Sequence, residues 1–404
     1  MIIAAADRCF NGSVDAPPSK SVYHRELIVR FLCGDRDNLQ PDRTDNDDVR
    51  ATKACLSALA SAVAGEEVRL PCNESGSTLR FMIPVAAAFL NGQGRDMGCR
   101  IVCETEGRLF DRPVKELADA LKPQGVTIDL DEKSRTFIVT GTMMPGEYEI
   151  DGSVSSQYIS GLIMALPLFE NDCKLRVRGQ MKSVHYIGLT QDVMAKYGCE
   201  IPLKDDTFII KGGAYSTKPS KGFTVEGDWS NGAFLLCIKK ALALRGRELT
   251  VNNLNYDSRQ GDKAILDFLA LTESGINEIR FDCSDIPDIA PYMAVTSAFI
   301  FEKAVFSGIA RLRIKESDRV MAVREQLKAF GIMTEEEQDS LTIYAYKGDA
   351  PKRIKLSSYH DHRMAMCAIL LAVFTGKEID LDDIECVNKS FPELREIIEK
   401  EIKQ

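Results

Sequence analysis

The chain has 404 residues, more than one ordinary hydrophobic core can serve, and its 45% hydrophobic and 27% charged residues are typical of a soluble protein of two domains. A net charge of −9, with no compensating lysine or arginine block, argues against nucleic acid as the main partner. No apolar run is long enough to cross a bilayer, and the N-terminus lacks the basic and apolar segments of a signal peptide.

The twelve cysteines are scattered without a C-x-x-C pair, which predicts reduced thiols of a cytoplasmic protein and no metal site. The negative net charge also sets a condition on any anionic ligand, because the cations that bind it must be concentrated locally. Arginine and lysine beside helix starts are therefore of interest, since the first N–H groups of a helix lack partners and attract anions.

Six times along the chain, a polar turn opens a run of small and apolar residues, which predicts six buried helices. In chain order, the openings lie near Ser19-Lys20, Ser75-Gly76, Ser155-Ser156, Ser230-Asn231, Asp288 and His360-Asp361. A strand-like segment and a second, amphipathic helix follow each buried helix. Glycine is expected to cap four of the second helices, at Gly125, Gly198, Gly275 and Gly331.

The resulting pattern is strand-helix-strand-helix-strand-strand, and it recurs roughly every 55 to 80 residues. Six such units predict an α/β protein of two domains with three units each, although an ordinary α/β protein could show the same spacing. No Gly/Ser/Pro-rich linker marks a boundary, which fits a chain that crosses between domains twice.

Residues 17–25 (PPSKSVYHR) form the first candidate anion site. Proline and serine favour a helix start, which places Lys20 and Ser21 on the first turn and Arg25 on the face of Ser21. A hydroxyl, a cation and N–H groups would then converge, as phosphate binding requires. A capped helix with solvated charges fits the same residues, and the glycines of a Walker loop are absent.

Two further segments place a glycine or an arginine beside a helix start. In residues 74–80 (ESGSTLR), Gly76 lies between hydroxyl residues and would let the backbone approach a ligand closely. In residues 107–113 (GRLFDRP), Pro113 suits the first turn of a helix that Arg112 precedes. A simple N-cap and an exposed turn are the alternative interpretations.

Residues 151–157 (DGSVSSQ) put polar groups at the start of a buried helix. Ser155, Ser156 and Gln157 would hold an anion with neutral donors and the helix dipole. Downstream, hydroxyl donors could also come from Ser183 and Tyr186. All of these residues also fit purely structural roles.

Residues 311–319 (RLRIKESDR) are the most informative segment. Their alternation of cation and aliphatic predicts a strand over residues 311–315 with three cations on one face, followed by a turn into a helix. Lys315 and Arg319 would lie near one another and bind dianionic groups, while Glu316 would accept or donate a proton. The alternative is a solvent-facing ion-pair ladder, although local acids are too few to match all three cations.

Three remaining features each place a charge at a helix start. Asp288 provides a carboxylate, for which an N-cap is the simpler interpretation. Residues 359–366 (YHDHRMAM) aim Arg363 from a helix start, and their two histidines lack the further ligands that a metal would need. Lys389 lies just ahead of the last helix.

In this order, the motifs resemble those of the 5-enolpyruvylshikimate-3-phosphate synthase family, enolpyruvyl transferases of the shikimate pathway. The most specific strings are GSVSSQ at 152–157, KESDR at 315–319 and DHRMAM at 361–366. The resemblance implies an inside-out α/β barrel fold of two domains, each with three βαβαββ units around a pseudo-threefold axis.

The resemblance also implies how the chain is divided. One domain would hold residues 1–18 and 227–404, and the inserted domain would hold residues 19–226. The active site would lie in the cleft between them. The protein is expected to be a cytoplasmic monomer without metal or organic cofactor, nucleic-acid partner or membrane.

The implied reaction moves the enolpyruvyl group of phosphoenolpyruvate to the 5-hydroxyl of shikimate-3-phosphate, on the route to chorismate and the aromatic amino acids. The family pattern assigns shikimate-3-phosphate to Lys20, Ser21, Arg25, Ser155, Ser156, Gln157, Ser183, Tyr186, Asp288 and Lys315. It assigns phosphoenolpyruvate to Lys20, Gly76, Arg112, Gln157, Arg319, Arg363 and Lys389. The catalytic groups would be Lys20 and Asp288 near the hydroxyl and Glu316 near the methylene carbon.

The sequence departs from the family pattern at three positions. Glu74 replaces a common asparagine, Pro18 replaces a common glycine, and Arg311 stands where many members carry asparagine. Gly76 is kept, so we expect sensitivity to glyphosate, which would occupy the phosphoenolpyruvate site.

Three other functions fit the sequence less well. The sister enzyme that acts on UDP-N-acetylglucosamine carries a cysteine in the loop before its Arg-Pro, whereas none precedes Arg112 in this loop. A non-catalytic anion-binding repeat protein would explain the cations but not Asp288 and Glu316 among them. An RNA-processing enzyme of similar repeat fold is disfavoured by the acidic balance.

Overall fold

The computed structural model describes residues 1–3, 6–37, 39–42, 45–215, 217–220, 222–348 and 350–402, the last three without their side chains. The chain folds as two compact units. Unit 1 comprises Met1–Ser19 and Glu226–Gln404, and unit 2 comprises Lys20–Val225. Across the described ranges, no helix combines the length and the apolar character needed to cross a membrane.

The strands and helices are numbered in chain order. The strands are β1 (Ile2–Ile3), β2 (Gly12–Asp15), β3 (Glu67–Asn73), β4 (Arg100–Thr105), β5 (Val126–Asp131), β6 (Thr136–Gly141), β7 (Glu147–Asp151), β8 (Cys173–Arg178), β9 (Leu203–Lys204), β10 (Thr207–Ile210), β11 (Leu249–Asn252), β12 (Glu278–Asp282), β13 (Lys303–Ser307), β14 (Thr334–Glu336), β15 (Ser340–Tyr344), β16 (Arg353–Leu356) and β17 (Glu378–Leu381). The helices are α1 (Lys20–Leu32), α2 (Asp47–Ala60), α3 (Gly76–Asn91), α4 (Lys115–Leu121), α5 (Ser156–Ala165), α6 (Val184–Lys196), α7 (Trp229–Ala243), α8 (Ile265–Leu271), α9 (Ala290–Ser297), α10 (Arg319–Ala329), α11 (His362–Thr375) and α12 (Glu393–Ile402).

Three four-stranded sheets repeat one strand order, which is β3-β4-β6-β5 and β7-β8-β10-β9 in unit 2 and β12-β13-β15-β14 in unit 1. In each sheet the first two strands are parallel and the other pairings are antiparallel. Unit 1 also contains a β1-β17-β16 sheet and a β11-β2 pair among its described strands. The predicted α/β fold of repeated units is therefore confirmed, and three of the units contain all four strands.

The buried helices of the predicted pattern form the core of each unit. α11 is buried from His362 to Val373, because small and apolar residues cover its whole circumference. In unit 1 it packs with α7 and α9, whose Trp229 and Tyr292 are fully buried. In unit 2, α3 and α5 pack together and bury residues such as Tyr158.

Glycine closes three of the second helices as predicted, because Gly125 caps the 3-10 turn that follows α4, and Gly198 and Gly331 follow the C-caps of α6 and α10. Gly275 lies three residues beyond Thr272, the C-cap of α8, so the prediction for α8 is wrong. Gly125, Gly198, Gly275 and Gly331 have φ of 86°, 80°, 74° and 74°, in the left-handed region that side chains with a Cβ avoid. At Gly125 the space is also closed, because a Cβ would lie 2.4 Å from the carbonyl oxygen of Thr142.

The prediction of a strand over residues 311–315 is wrong. Ala310–Ile314 form a 3-10 turn between β13 and α10. Side chains from the β14–β15 hairpin region decide this conformation, since the Ala310 N–H donates to Asp339 at 2.7 Å and Arg313 pairs with Glu336 at 2.6 Å. The three cations therefore do not share one face of a strand.

Candidate active site

Arg319 is the centre of a charged cluster in unit 1. It is the first residue of α10 and only 1% exposed. Its Nε and Nη2 donate to the two carboxylate oxygens of Asp361 at 2.8 and 3.2 Å. Asp361, which is fully buried, also caps α11 by accepting from the N–H of Arg363 at 2.9 Å. The starts of two helices are thus joined through one aspartate.

The two proposed acids Asp288 and Glu316 share the same guanidinium. Arg319 Nη1 donates to Asp288 and Nη2 to Glu316, both at 2.8 Å. Lys315 Nζ lies 3.4 Å from Asp288, and Lys389 Nζ lies 3.6 Å from Glu316. Five residues from three segments of the chain are therefore in contact, and they include three cations.

Arg363 borders this cluster with a second buried guanidinium. Its Nη1 donates to the hydroxyl of Tyr292 at 3.0 Å, and its guanidinium carbon lies 5.6 Å from the centre of that ring. Its Nε is buried without a hydrogen-bond partner in the described structure. Such a donor is satisfied when an anion binds, since a buried charged donor without an acceptor is unfavourable.

Nearby opposite charges keep both Arg319 and Asp288 ionised. Burial lowers the pKa of Arg319, but Asp361, Glu316 and Asp288 together hold it well above its ordinary value. Burial likewise raises the pKa of Asp288, but Lys315, Arg319 and Arg363 hold it well below its usual range. Asp288 is therefore a carboxylate at neutral pH and can accept a hydrogen bond from a substrate hydroxyl.

Asp288 is not the N-cap of α9, which was the simpler interpretation of its position in the sequence. The N-cap residue of α9 is Ile289, which makes no side-chain capping bond. The carboxylate of Asp288 turns instead to Arg319 and Lys315. The N-cap interpretation is wrong, and the charge of Asp288 is available to the site.

Asp262 is a member of the cluster that sequence reasoning missed. It lies in the 3-10 turn Gly261–Ala264, is buried, and accepts a hydrogen bond from the hydroxyl of Ser230. Burial, together with the negative charge of Asp288, raises the pKa of Asp262 to about 7. No local pattern marks this residue, because its charged neighbours come from distant segments.

Unit 2 carries the second group of predicted residues. Lys20, the first residue of α1, pairs with Asp48 in the first turn of α2 at 2.8 Å. Asp48 was not predicted as a site residue, although adjacent acids at the start of α2 were visible in the sequence. Its backbone carbonyl accepts from the hydroxyl of Thr78, near the start of α3. Three helix starts therefore lie around Lys20.

Arg25 is buried and bonded within unit 2. Its Nε donates to Thr190 at 2.6 Å, and its Nη atoms donate to the backbone carbonyls of Ser21 and Tyr186. Burial lowers its pKa to about 10. The predicted proximity of Ser21, Arg25 and Tyr186 is present in the structure, but these bonds show Arg25 holding α1 and α6 together.

The starts of α3 and α5 are joined by side chains. Gln157 accepts from Arg80 at 2.6 Å and donates to Ser77 at 2.8 Å. Ser155 caps α5 by accepting from the Gln157 N–H at 3.3 Å. Ser156 follows as the first residue of α5, and Ser183 precedes α6 with a left-handed φ of 52°.

Gly76 and Arg112 are in close contact. A Cβ at Gly76 would lie 2.7 Å from Nη1 of Arg112, so a larger residue would make the guanidinium shift away from this helix start. The turn that carries Arg112 is tied to the end of β3, because the Glu106 N–H donates to the carbonyl of Asn73 at 2.7 Å. Pro113 lies outside α4, which begins at Lys115, so the prediction that it occupies the first turn is wrong.

Solved structures with this fold define the class of protein. EPSP synthase from Acinetobacter baumannii matches with a TM-score of 0.70 at 17% identity, over 99% of this chain and 97% of that chain. The enolpyruvyl transferase NikO from Streptomyces tendae matches with a TM-score of 0.68 at 15% identity, over 99% of this chain and 96% of that chain. The fold is that of the enolpyruvyl transferases.

Sequence comparison identifies the family within that class. Residues 6–398 match the family model of EPSP synthase (3-phosphoshikimate 1-carboxyvinyltransferase). A 3-phosphoshikimate 1-carboxyvinyltransferase of Clostridioides difficile is 31% identical over 95% of this chain and 93% of its own length. One from Clostridium botulinum is 32% identical over the same shares of the two chains. The chain belongs to the EPSP synthase family, as the resemblance of its motifs predicted.

Proposed function

We propose that this protein transfers the enolpyruvyl group of phosphoenolpyruvate to the 5-hydroxyl of shikimate-3-phosphate and releases phosphate. The observation that best supports the proposal is the contact of Asp288 and Glu316 with buried Arg319. Carboxylates beside fixed cations supply proton transfer and charge stabilisation at one place, which a site that only binds anions does not need.

The two substrates would use different groups of residues. Shikimate-3-phosphate would be held by Lys20, Ser21, Arg25, Ser155, Ser156, Gln157, Ser183, Tyr186, Asp288 and Lys315. Phosphoenolpyruvate would be held by Lys20, Gly76, Arg112, Gln157, Arg319, Arg363 and Lys389. Both groups draw on both units, so the site would form in a cleft between a domain of residues 1–18 and 227–404 and one of residues 19–226.

The reaction has an addition and an elimination step. The 5-hydroxyl oxygen forms a bond to C2 of phosphoenolpyruvate and loses its proton, while C3 gains a proton and becomes a methyl group. In the second step C3 gives up a proton and the C2–O bond to phosphate breaks, so that phosphate leaves with the electron pair. The first proton is assigned to Asp288 and Lys20, and the low pKa of Asp288 keeps it a carboxylate that can accept a hydrogen bond from the 5-hydroxyl. Glu316 would exchange the proton at C3.

The predicted inhibition by glyphosate belongs to the same proposal. Glyphosate is an anion that would occupy the phosphoenolpyruvate site, where Gly76 leaves room for Arg112. We further propose that the protein acts in the cytoplasm as a monomer.

Comparison of acceptors tests the proposed function. Phosphate release from phosphoenolpyruvate should be measured with shikimate-3-phosphate and, separately, with UDP-N-acetylglucosamine. We expect release only with shikimate-3-phosphate, together with an enol ether product of the matching mass. Equal release with the nucleotide sugar would contradict the proposal. Glyphosate well above the phosphoenolpyruvate concentration should suppress the reaction.

A further inference from the structure

We infer that Asp382 is a positioning residue for the phosphoenolpyruvate side of the site, acting through the turn of residues 357–360 on Asp361. The inference rests on the proposed function, which assigns Arg319 and Arg363 to phosphoenolpyruvate. Asp382 itself lies on the surface and touches neither arginine in the described structure.

Asp361 is the residue through which both arginines are oriented. Its carboxylate binds Arg319 with two oxygens, accepts from the hydroxyl of Ser317 at 2.9 Å, and caps the helix that begins before Arg363. A carboxylate with this many partners has one useful orientation. A small rotation of the backbone before Asp361 would break several of these bonds together.

The backbone before Asp361 is in an unfavourable conformation. Tyr359 and His360 have φ of 53° and 52°, so two consecutive residues with side chains adopt the left-handed region. Such residues are uncommon singly, because Cβ approaches the following carbonyl oxygen. This conformation persists only where the surroundings hold it.

Asp382 contributes two hydrogen bonds to this turn, beside the contacts of Gln326 with the Ser357 carbonyl and of Asp383 with the His360 ring. In the parallel pairing of β16 with β17, Leu356 lies opposite Leu381, the last residue of its strand. The segments that follow the two strands therefore leave the sheet side by side. Asp382 then accepts from the hydroxyl of Ser357 at 2.6 Å and from the N–H of Ser358 at 2.8 Å. Burial raises the pKa of Asp382, but these hydrogen bonds hold it below its ordinary value.

Ser357 and Ser358, which Asp382 contacts, are hydrogen-bonded in turn to the left-handed residues Tyr359 and His360. The N–H of Tyr359 donates to the Ser357 hydroxyl at 3.0 Å, and the N–H of His360 donates to the Ser358 hydroxyl at 3.2 Å. The N–H of Asp361 donates to the Ser358 carbonyl at 2.9 Å. The series of bonds from Asp382 to Asp361 is therefore continuous.

Asp382→Asn tests the inference, because the variant keeps the size of the side chain and removes its charge. The KM for phosphoenolpyruvate should rise about tenfold, in line with the effect of small misplacements in a binding site. The KM for shikimate-3-phosphate and the melting temperature should change little. Asp380→Asn is the matched control, since Asp380 lies on β17, two residues before Asp382, and pairs with Arg353 rather than with the turn.

Rescue separates positioning from a general structural role. In the His360→Gly background one of the two left-handed residues no longer opposes the turn, so Asp382→Asn should raise the KM for phosphoenolpyruvate less than about threefold. A tenfold rise in that background, or an unchanged KM in Asp382→Asn alone, would overturn the inference. An equal rise in the KM values for both substrates in Asp382→Asn, together with a lower melting temperature, would also overturn the inference.

Hydrogen exchange gives a readout that does not depend on the reaction. In the unliganded protein, Asp382→Asn should speed amide exchange across residues 357–363 at least tenfold and leave α3 unchanged. Unchanged exchange in this segment rejects the inference even if the enzyme is active. Failure of the wild-type protein to release phosphate rejects the proposed function instead, and the exchange result still decides whether Asp382 holds the turn.

Discussion

Arg319 keeps a full positive charge at a site from which water is almost excluded. Burial of a lone guanidinium would be unfavourable by several kcal/mol, so the three carboxylates around it are a condition of its position. Asp361 contributes a bidentate contact, while Asp288 and Glu316 contribute one oxygen each. A substrate carboxylate of the right geometry could replace the last two without leaving the charge unpaired.

Glu316→Gln is expected to lower kcat by at least about 100-fold, because glutamine keeps the shape of the side chain but cannot exchange a proton. Binding of both substrates should remain within about threefold of the wild type, since Arg319 keeps Asp361 and Asp288. Steady-state kinetics and calorimetry provide the two measurements. The exposed Glu248 serves as the control for the same substitution. A fully active Glu316→Gln enzyme would remove Glu316 from the proton transfer.

Asp262 should make stability depend on pH. Its pKa is raised to about 7 by burial and by Asp288, while Ser230 and Arg363 oppose the shift and Asp228 adds to it. Between pH 4 and 7 the folded state then binds one more proton than the unfolded state, so Asp262 makes stability fall as pH rises through this window. Asp262→Asn removes that contribution.

Thermal unfolding at pH 5 and pH 8 measures the effect of Asp262. Going from pH 5 to pH 8, the wild type should lose a few kcal/mol more stability than Asp262→Asn, because one pKa unit corresponds to about 1.4 kcal/mol. Identical pH dependence in the two proteins would show that the carboxylate of Asp262 titrates normally.

The residues of the candidate site could be predicted only in part from the sequence. The sequence identified Lys315, Glu316 and Arg319, because they lie within five positions of one another. It did not identify Asp48 or Asp262, whose partners arrive from other segments through the fold. The assigned substrate contacts remain predictions.

Helix starts are the elements that organise both units. The buried helices were predictable, because their runs of apolar residues are long and polar caps such as Ser75, Ser155 and Asp361 precede them. The segment of residues 311–315 was not predictable, because five alternating residues fit a strand as well as a turn. Hydrogen bonds that Asp339 accepts from the Ala310 N–H and that the Glu337 carbonyl accepts from Arg313 decide between them, and the local sequence does not show these bonds.

Gly76→Ala should disturb the start of α3 through Arg112. A new Cβ 2.7 Å from the guanidinium would displace it, so the KM for phosphoenolpyruvate should rise about tenfold and that for shikimate-3-phosphate should change little. Sensitivity to glyphosate should fall in parallel. Kinetics of the double variant check the mechanism: in an Arg112→Ala background, Gly76→Ala should add less than about twofold. Additive effects would mean that Gly76 acts by another route.

Replacing the glycine that follows α4 should lower the free energy of unfolding more than replacing the glycine that follows α1. Gly125→Ala is expected to lower the free energy of unfolding by about 2–4 kcal/mol, because a positive φ is combined with a 2.4 Å approach to a backbone oxygen. Gly34→Ala is the control, since Gly34 has a φ of 94° with open space around it, and about 1 kcal/mol is expected. Equal losses in urea unfolding would show that backbone strain alone decides both.

At the scale of the whole molecule, an acidic protein is proposed to bind two anionic substrates. The net charge of −9 is compatible with this, because cations are gathered at a few helix starts within each unit. The spacing of the patterns predicted six repeats of four strands each, and the described strands form the full set of four in three sheets.

Dependence of phosphate release on both substrates tests the central claim most directly. Purified protein should be given phosphoenolpyruvate alone, shikimate-3-phosphate alone, and both together, while calorimetry follows binding in the same samples. The account predicts no phosphate with either substrate alone and, with both, one phosphate for each enolpyruvyl product. Binding of shikimate-3-phosphate without any phosphate release in the presence of both would contradict it, and would leave an anion-binding protein instead of an enzyme.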